Sequence, residues 1–336
     1  MSTVSIILPT YNRARFLPQA FASIREQTCV DWELIVVDDG STDDTQQVVA
    51  KSAEALQQEV HYVYQKNAGP AVARNTGIDR ATGKYLAFLD SDDQWLPHHL
   101  TDCVRGLDQN PDVDWIYAAG RRVDERTGEV LLEHSFYPEG RPRAFRNLKS
   151  RQAGDLYVID DPGAVVFSLE NGLYAGLQNS VLRASRFREL RIPLVRIGED
   201  RHFITLALKN GCRFAYFDDV HTIYYVHGEN ISDASASGSL DKRVAVLEEL
   251  IRGYEDLGNR AAWSRVERRA LCQRLSQEYF WSLGYAMLLQ NGRRGEALRA
   301  MRRGLRHWPY DWRCWKTYLL AVVRGGGGER PMTNDK

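Results

Sequence analysis

Three carboxylates directly follow a short apolar segment, and their spacing could hold a metal ion. Residues 85–89 are apolar or aromatic throughout, which is typical of a β-strand covered on both faces. Because unpaired carboxylates are costly to bury, we expect Asp90, Asp92 and Asp93 to face solvent or a cation where this strand ends. Asp90 and Asp92 could offer oxygen ligands to Mg²⁺ or Mn²⁺ and leave positions open for substrate phosphates. A solvated Asp-rich turn is the alternative interpretation of these residues alone.

Polar groups also follow the neighbouring strands of the predicted sheet. Strands are predicted at residues 4–8, 32–37, 60–64 and 85–89. Helices are predicted between them at residues 14–27, 42–56 and 71–80. This alternation is typical of βαβ units in a mostly parallel α/β sheet, which binds ligands at the carboxyl ends of its strands. Polar segments begin at Pro9, Asp38 and Asp90, and Arg74 lies in the helix before the last strand, so we expect them to meet at one edge of the sheet.

The composition is typical of a soluble globular protein, with 43% hydrophobic and 26% charged residues in a chain of 336. No apolar run approaches the roughly 20 residues that span a bilayer, and the first residues lack the basic segment of a secretory signal. The five cysteines are scattered and lack the CxxC spacing of many zinc sites, which favours a reducing compartment over a disulfide framework. We therefore expect a cytoplasmic protein.

Charge is distributed unevenly along the chain, although the formal net charge is zero. Residues 241–330 carry 18 Lys and Arg against 10 Asp and Glu, and the remaining residues carry the matching acidic surplus. We interpret the basic segment first as an Arg-rich solvated helical face. A peripheral contact between these C-terminal helices and an anionic membrane surface is the alternative, and no nucleic-acid partner is expected.

The second half of the chain has a weaker pattern. Residues 138–161 are predicted as a loop, residues 165–167 and 179–183 as short strands, and residues 200–210 as a helix. From residue 240 to about residue 323 the spacing of apolar residues predicts helices. The predicted domains are therefore residues 1–235, a helical region at residues 236–324 and a disordered tail at residues 325–336.

Two features of the helical region carry expectations of their own. Residues 294–306 place arginines opposite Ala297, Met301 and Leu305, which predicts an amphipathic helix. Six aromatic side chains are expected to pack the helices together: Tyr279, Phe280, Trp281, Trp308, Trp312 and Trp315.

Four segments of the first half occur in a characteristic order. They are Val4-Ser-Ile-Ile-Leu-Pro-Thr-Tyr-Asn12, Glu33-Leu-Ile-Val-Val-Asp-Asp-Gly-Ser-Thr-Asp43, Asn67-Ala-Gly-Pro-Ala-Val-Ala-Arg-Asn75 and Phe88-Leu-Asp-Ser-Asp-Asp93. Two later segments are Gly198-Glu-Asp200 and Val226-His-Gly-Glu-Asn-Ile-Ser232. In order and spacing this set resembles the inverting family 2 glycosyltransferases, over residues 2–232. The resemblance implies a GT-A fold, which is a Rossmann-like, mostly parallel sheet flanked by helices, here with a C-terminal helical extension.

The resemblance implies that several residues bind the nucleotide. Pro9 and Tyr11 would hold the base, with the Tyr ring against its face, and Asp39 would accept a hydrogen bond from the base or ribose. Arg74 would lie near the nucleotide. Structural roles are the alternatives: Tyr11 could pack on the sheet edge, Asp38 and Asp39 could cap a helix, and Arg74 could pair with an acidic neighbour.

The resemblance also implies which residues hold the metal and which perform the chemistry. The DxD segment that reaches the ribose and the diphosphate-bound metal is formed by Asp90, Ser91 and Asp92. Asp200 would be the general base, beside Glu199, which could orient the site or share the proton chemistry. His227 would contact the metal or the diphosphate. A helix cap is the alternative role for Asp200.

Sugar transfer makes demands that these residue types satisfy. A divalent ion, Mn²⁺ or Mg²⁺, offsets the charge that builds on a diphosphate leaving group. The acceptor hydroxyl has a pKa far above 7, so a carboxylate must take its proton during attack. One displacement with one base inverts the anomeric centre, whereas retention generally needs a second step. The expected acceptor is a glycan, a lipid-linked glycan or another hydroxyl, with a UDP-sugar as the default donor, in cell-surface or exopolysaccharide synthesis.

Two other functions are compatible with the fold. A sugar nucleotidyltransferase usually needs a Gly-rich basic loop after the first strand, where this chain has Pro9-Thr-Tyr-Asn-Arg13. A catalytically inactive binding or scaffold protein would not need the set of Asp90, Asp92 and Asp200. The expected location is the cytoplasm, with the inner face of the membrane as the peripheral alternative.

Overall fold

The computed structural model describes residues 3–195, 197–230 and 239–323. The chain divides into two compact units, Met1–Asp233 and Ala234–Lys336. The domain boundaries that the sequence predicts at residues 235 and 324 stay predictions. The predicted disordered tail, residues 325–336, lies outside the described residues.

Within the described residues, the first unit is built on one sheet of eleven strands flanked by helices. The strands are β1 (Val4–Thr10), β2 (Trp32–Asp38), β3 (Val60–Tyr64), β4 (Tyr85–Phe88), β5 (Gln94–Trp95), β6 (Trp115–Asp124), β7 (Val130–Leu132), β8 (Ser150–Ala153), β9 (Leu156–Ile159), β10 (Ser180–Arg183) and β11 (Phe214–Val226). The helices are α1 (Leu17–Arg25), α2 (Thr45–Ala53), α3 (Pro70–Arg80), α4 (His99–Gln109), α5 (Ala164–Glu170), α6 (Ala184–Phe187) and α7 (Glu199–Lys209). Short 3₁₀ turns lie at Pro138–Gly140 and Ala144–Asn147.

The first four long strands form the parallel part of the sheet, in the order β3–β2–β1–β4. Every residue of β1, β2 and β4 is buried, because helices cover both faces, and this confirms the two-sided burial that the sequence predicts for residues 85–89. The sheet continues as β10–β6–β11–β9–β8, where β10 is antiparallel to both of its neighbours. Thr10 pairs with Asp38 and Ile7 with Phe88, so the chain leaves β1, β2 and β4 at one edge.

Two predictions for the middle of the chain are wrong. Residues 165–167 lie in α5 and not in a strand, because Ala164, Ser168 and Leu169 form its buried face and Ser168 Oγ lies 2.8 Å from Thr205 Oγ1 of α7. Tertiary packing thus overrides the strand preference of the Val-Val-Phe run. Residues 138–161, predicted as a loop, contain β8 and β9, which pair with each other, and β9 adds to β11. The polar sequence of β8 gave no strand signal.

The second unit is helical over its described residues, as predicted. Its helices are α8 (Leu240–Arg260), α9 (Arg265–Gln277), the π-type helix α10 (Glu278–Leu289) that continues it, α11 (Arg294–His307) and α12 (Trp312–Val323). In α11 the residues Ala297, Met301 and Leu305 are buried, which confirms the amphipathic pattern. None of the described helices combines the length and the apolar composition that crossing a membrane requires.

The prediction that six aromatic residues pack the helices together is wrong for two of them. Tyr279 and Phe280 are buried, but Trp312 is 68% exposed and Trp315 is 43% exposed. Both lie on the face of α12 opposite to its buried Cys314 and Ala321. The helix therefore presents indole rings outward.

Candidate active site

The candidate site lies at the carboxyl edge of the parallel strands, where the loops after β1, β2 and β4 meet the N-terminus of α7. The DxD loop, residues 90–93, follows β4. Asp90 is partly exposed, Ser91 is buried, and Asp92 is partly buried. The parallel register brings the strand ends together, because β1 pairs with β2 from Val4 to Thr10 and with β4 from Val4 to Ile7.

A buried arginine joins two of the carboxylates. Arg74 on α3 is only 6% exposed, and its Nη2 donates to Asp90 Oδ1 at 2.5 Å while its Nη1 donates to Glu199 Oε1 at 2.7 Å. Burial opposes its charge, but Asp90 and Glu199 together raise the pKa of Arg74 above its ordinary value. The DxD loop and the start of α7, more than a hundred residues apart in sequence, are therefore held at one point.

Arg74 is thus found in an ion-pair network. This is the acidic-neighbour arrangement that the sequence left as an alternative, and a direct contact between Arg74 and a nucleotide stays a prediction.

The second DxD carboxylate meets the loop after β11. Asp92 Oδ2 lies 3.2 Å from His227 Nε2 and 3.7 Å from Arg13 Nε. Burial, followed by the charge of Asp90, raises the pKa of Asp92, so a bound cation would favour its ionised form. The side chains of His227 and Asp92 are close enough to bind one metal ion together. The role of His227 as a ligand stays a prediction. Ile231 and Ser232 of the same motif lie outside the described residues.

Asp93 contradicts the expectation that all three carboxylates face solvent or a cation. It is 1% exposed, and burial, with the charges of Asp92 and Asp90, raises its pKa well above its ordinary value. The raised pKa means that burial favours the neutral carboxyl over the carboxylate at this position.

The donor set fits a hard divalent cation. Asp90 and Asp92 bring carboxylate oxygens to one loop, and Asp90 Oδ2 makes no hydrogen bond to the described residues. Mg²⁺ and Mn²⁺ prefer carboxylate oxygens as ligands, and they usually keep other coordination positions for water and phosphate oxygens. The nearby carboxyls of Glu199 and Asp200 add negative potential when ionised, which favours such an ion.

The start of α7 carries the proposed base. Gly198, at a φ of 75°, is the N-cap residue, so the helix-cap alternative for Asp200 does not apply and Asp200 lies in the first turn. Its Oδ1 accepts the backbone N–H of Arg201 at 2.7 Å. Burial raises the pKa of Asp200 and of Glu199, and the negative charge of Asp90 adds to the rise for Asp200. Both carboxyls therefore hold protons more tightly than a solvated acid does.

The loops after β1 and β2 carry the residues that the sequence predicts to bind the nucleotide. Pro9 is buried in β1, and the Tyr11 ring is 47% exposed, as a stacking surface must be. Asn12, with a φ of 51°, accepts the backbone N–H of Thr42 at Oδ1, which joins the two loops.

Asp39 organises the segment before α3. Its carboxylate accepts hydrogen bonds from the backbone N–H groups of Ala68 and Gly69 and from Gln65 Nε2, at 2.7–2.9 Å. Asp38 accepts from Ser41 N and from the Tyr62 hydroxyl. Asp39 therefore has a structural role that the sequence did not reveal, and its hydrogen bond to a base or ribose stays a prediction.

Two charged residues that the sequence reasoning did not select complete the site. Arg13 donates through Nη1 to Glu229 Oε2 and through Nη2 to the Glu229 carbonyl, each at 2.7 Å. The Glu229 N–H in turn lies 3.2 Å from His227 Nδ1. No local pattern could have paired residues 216 positions apart. Trp95, which follows the DxD loop, is buried and donates to the Gln178 carbonyl.

Solved structures share this fold. The chain matches S. aureus TarS in complex with UDP-GlcNAc at a TM-score of 0.63 with 19% identity, over 96% of this chain and 88% of that one. It also matches the mannosyltransferase PcManGT of Pyrobaculum calidifontis, in complex with GDP-Man and Mn²⁺, at a TM-score of 0.58 with 19% identity, over 96% and 86% of the two chains. The first unit, with its carboxylate edge, is therefore a GT-A glycosyltransferase fold.

The family model named Glycosyl transferase family 2 matches residues 5–168. Among curated relatives, the GalNAc(5)-diNAcBac-PP-undecaprenol β-1,3-glucosyltransferase of Campylobacter jejuni is 34% identical over 137 residues, 40% of this chain and 43% of its own length. The curated relatives are matched over less than half of their own length. The similarity to family 2 glycosyltransferases that the sequence indicates is therefore confirmed for residues 5–168, and inversion stays a prediction.

We expect Arg74→Met to destabilise the first unit by about 3 kcal/mol in urea unfolding. Removing one partner of a buried pair costs roughly 3–5 kcal/mol, and the partial exposure of Asp90 places this case at the low end. Adding Glu199→Gln should recover part of the loss, because it removes one of the unpaired carboxylates.

The matched control is Arg191→Met, which removes an exposed pair with Asp79 and should cost no more than about 1 kcal/mol. Equal effects of the two arginine substitutions would contradict the structural importance of the Arg74 network.

Proposed function

We propose that the chain transfers a sugar from a nucleotide-diphosphate donor to an acceptor hydroxyl, with inversion and with the help of Mn²⁺ or Mg²⁺. The observation that carries this proposal is the junction at Arg74, which brings the DxD loop beside Glu199 and Asp200. The proposed metal ligands Asp90 and Asp92 would therefore lie at the same edge of the sheet as Asp200, the proposed base, whose pKa is raised. The transfer would serve the synthesis of a cell-surface glycan or exopolysaccharide.

The donor would lie across the loops after β1, β2 and β4. Tyr11 would stack on the base, Pro9 would shape the floor beneath it, and Asp39 would fix the loop that approaches the ribose. When bound, a divalent ion would offset the charge of the leaving diphosphate at Asp90 and Asp92. A UDP-sugar is our default donor because TarS was solved with UDP-GlcNAc, whereas PcManGT was solved with GDP-Man.

The chemistry of the acceptor would depend on Asp200. Its carboxylate would take the proton of the attacking hydroxyl, and its raised pKa makes it a stronger base than a solvated aspartate. Glu199, held by Arg74, would keep the first turn of α7 in place. A single base and a single displacement give inversion.

A lipid-linked acceptor agrees with an exposed apolar stripe in the second unit. Along α12, Trp312, Trp315, Leu319 and Val323 recur at helical spacing and are all exposed. Lys316 on the same helix is basic, and so are the exposed Arg302 and Arg306 of α11. Indole rings beside cationic side chains suit the interface of an anionic membrane. We therefore include peripheral membrane contact in the proposal, and the name of the Campylobacter relative specifies an undecaprenol-linked substrate.

The proposed transfer predicts different defects for two carboxylates. Asp200→Asn should lower the rate by about 10²–10⁴-fold, the usual contribution of a general base, and leave donor binding unchanged. Asp92→Asn should abolish the part of donor binding that depends on Mn²⁺. The measurement is a screen of nucleotide-sugars by calorimetry and product formation, with Asp79→Asn as an exposed control. Wild-type turnover by Asp200→Asn would refute the base assignment.

The raised pKa of Asp200 also fixes the sign of the pH dependence. Only the ionised carboxylate accepts a proton, so kcat/KM should fall as the pH drops through a pKa above the ordinary aspartate value of about 3.9. The residual activity of Asp200→Asn should lack this acid limb. An identical limb in the variant would assign the titration to another group.

The apolar stripe predicts binding to anionic vesicles. Wild-type protein should sediment with phosphatidylglycerol vesicles, and Trp312→Ser/Trp315→Ser should lose most of this binding because the indole rings supply the interfacial contact. Val266→Ser, which removes a similarly exposed apolar side chain on α9, is the matched control. Equal sedimentation of the Trp variant and the control would rule out α12 as the contact.

A further inference from the structure

A cluster of metal-ligating side chains lies between α4 and β11, apart from the DxD loop. His98, which precedes α4, and Asp102, in its first turn, are four residues apart and therefore neighbours on one face. His221 approaches them from β11. One potential ligand atom from each of these three residues lies within 4.8 Å of the other two. A second, fully buried group shares the same His221 with His99 and Cys103.

The first group borders a cavity of about 290 Å³ that opens to solvent. His98, Asp102 and His221 line it together with Asp155, Asp219 and Arg105, and Arg105 Nη2 donates to Asp102 Oδ1 at 2.8 Å. An ion and its water can therefore reach the three ligands. The buried group has no such access, because His99 and Cys103 are fully buried and do not line the cavity.

The strand that carries His221 is irregular at this point. The pairing of β11 with β6 shifts in register between Phe217 and Val220 and again between Val220 and Thr222. Bulges of this kind re-aim side chains and are over-represented next to functional sites. Beyond them, β5 adds to β11 through Trp95 and Thr222, so the irregularity is confined to the residues around the cluster.

The histidine behind the cavity has unused hydrogen-bonding capacity. His99 is fully buried, and its Nε2 has no hydrogen-bond partner among the described residues. Its Nδ1 lies 3.3 Å from His221 Nδ1. A histidine that binds a metal through one ring nitrogen usually donates its other N–H to an acceptor behind it. If His221 binds through Nε2, His99 Nδ1 is placed to be that acceptor.

We propose that His98, Asp102 and His221 form a second metal site, which takes a transition metal such as Zn²⁺. Two imidazoles and one carboxylate suit Zn²⁺, Ni²⁺ or Cu²⁺, whereas the oxygen ligands of the DxD loop suit Mg²⁺ and Mn²⁺. Ligands at about 2.0–2.2 Å from zinc lie roughly 3.3–3.6 Å apart in a tetrahedral site, so small side-chain rotations would complete the coordination. Water from the cavity is available for the fourth position.

A metal at this position would join two elements that flank the DxD loop. α4 follows that loop in sequence, and β11 leads into His227, which contacts Asp92. The ion would therefore fix the start of α4 against β11 without touching the donor. The site is structural in kind, and it does not rest on the proposed glycosyl transfer.

The test is zinc binding by the full chain after removal of metals with EDTA. Calorimetry with Zn²⁺ should show one binding site in the wild type. The site should persist in Asp92→Asn, which would exclude the DxD loop as the zinc site. It should also persist in His61→Ala, the control for an exposed histidine elsewhere in the chain. His221→Ala and His98→Ala should each weaken binding by more than about 100-fold, beyond the 10–100-fold that loss of an outer-shell partner costs. Zinc should also raise the Tm of wild-type protein and not that of His98→Ala.

Two further outcomes decide the ligand set. His98 is only partly buried, so His98→Ala keeps the test decisive if His221→Ala fails to fold. Co²⁺ bound to the wild type should lack a thiolate charge-transfer band, and Cys103→Ser should bind zinc normally. Zinc binding that requires Cys103 and not His98 would overturn the proposed ligands in favour of the buried group. Binding equal in wild type and His98→Ala, or no binding at all, would overturn the site.

Discussion

The ion pairs of one buried guanidinium organise the whole candidate site. Arg74 is almost completely removed from water, so its charge must be matched by carboxylates at hydrogen-bond distance. Asp90 and Glu199 provide that match from the end of β4 and the start of α7. Because α3 carries Arg74 and packs on β1 and β2, the parallel core fixes the distance between the DxD loop and the proposed base.

The same edge holds more negative than positive charge, and this imbalance would favour a bound cation. Asp90, Asp92, Asp93, Glu199 and Asp200 lie around it with Arg74 and Arg13 as the cationic partners. Burial raises the pKa of four of these five carboxyls, which means that the protein alone does not fully stabilise their charges. A divalent ion with a diphosphate would complete the balance at Asp90 and Asp92, and Asp200 would remain free to exchange a proton.

The sequence predicted the features that have a local signal. The strands β1, β2 and β4 are mostly apolar runs, interrupted by Ser5 in β1 and by Glu33 in β2, and the motifs after them mark the candidate site. What it missed depends on contacts between distant segments: the Arg13–Glu229 pair, the burial of Asp93, and the helix formed by residues 164–170 against α7. Asp39 shows most clearly what the sequence could not predict. Its carboxylate accepts three hydrogen bonds from a loop, and the conformation of a loop has no periodic sequence pattern.

The proposed sugar transfer depends on a metal-bound diphosphate at the DxD loop, beside the first turn of α7. Crystals grown with UDP and Mn²⁺ and measured for anomalous scattering test this directly. We predict one manganese peak within coordination distance of Asp90 or Asp92, with the uracil ring on Tyr11 and the Arg74 ion pairs intact. A manganese ion bound away from both carboxylates, or a nucleotide seated away from the ends of β1, β2 and β4, would contradict the account.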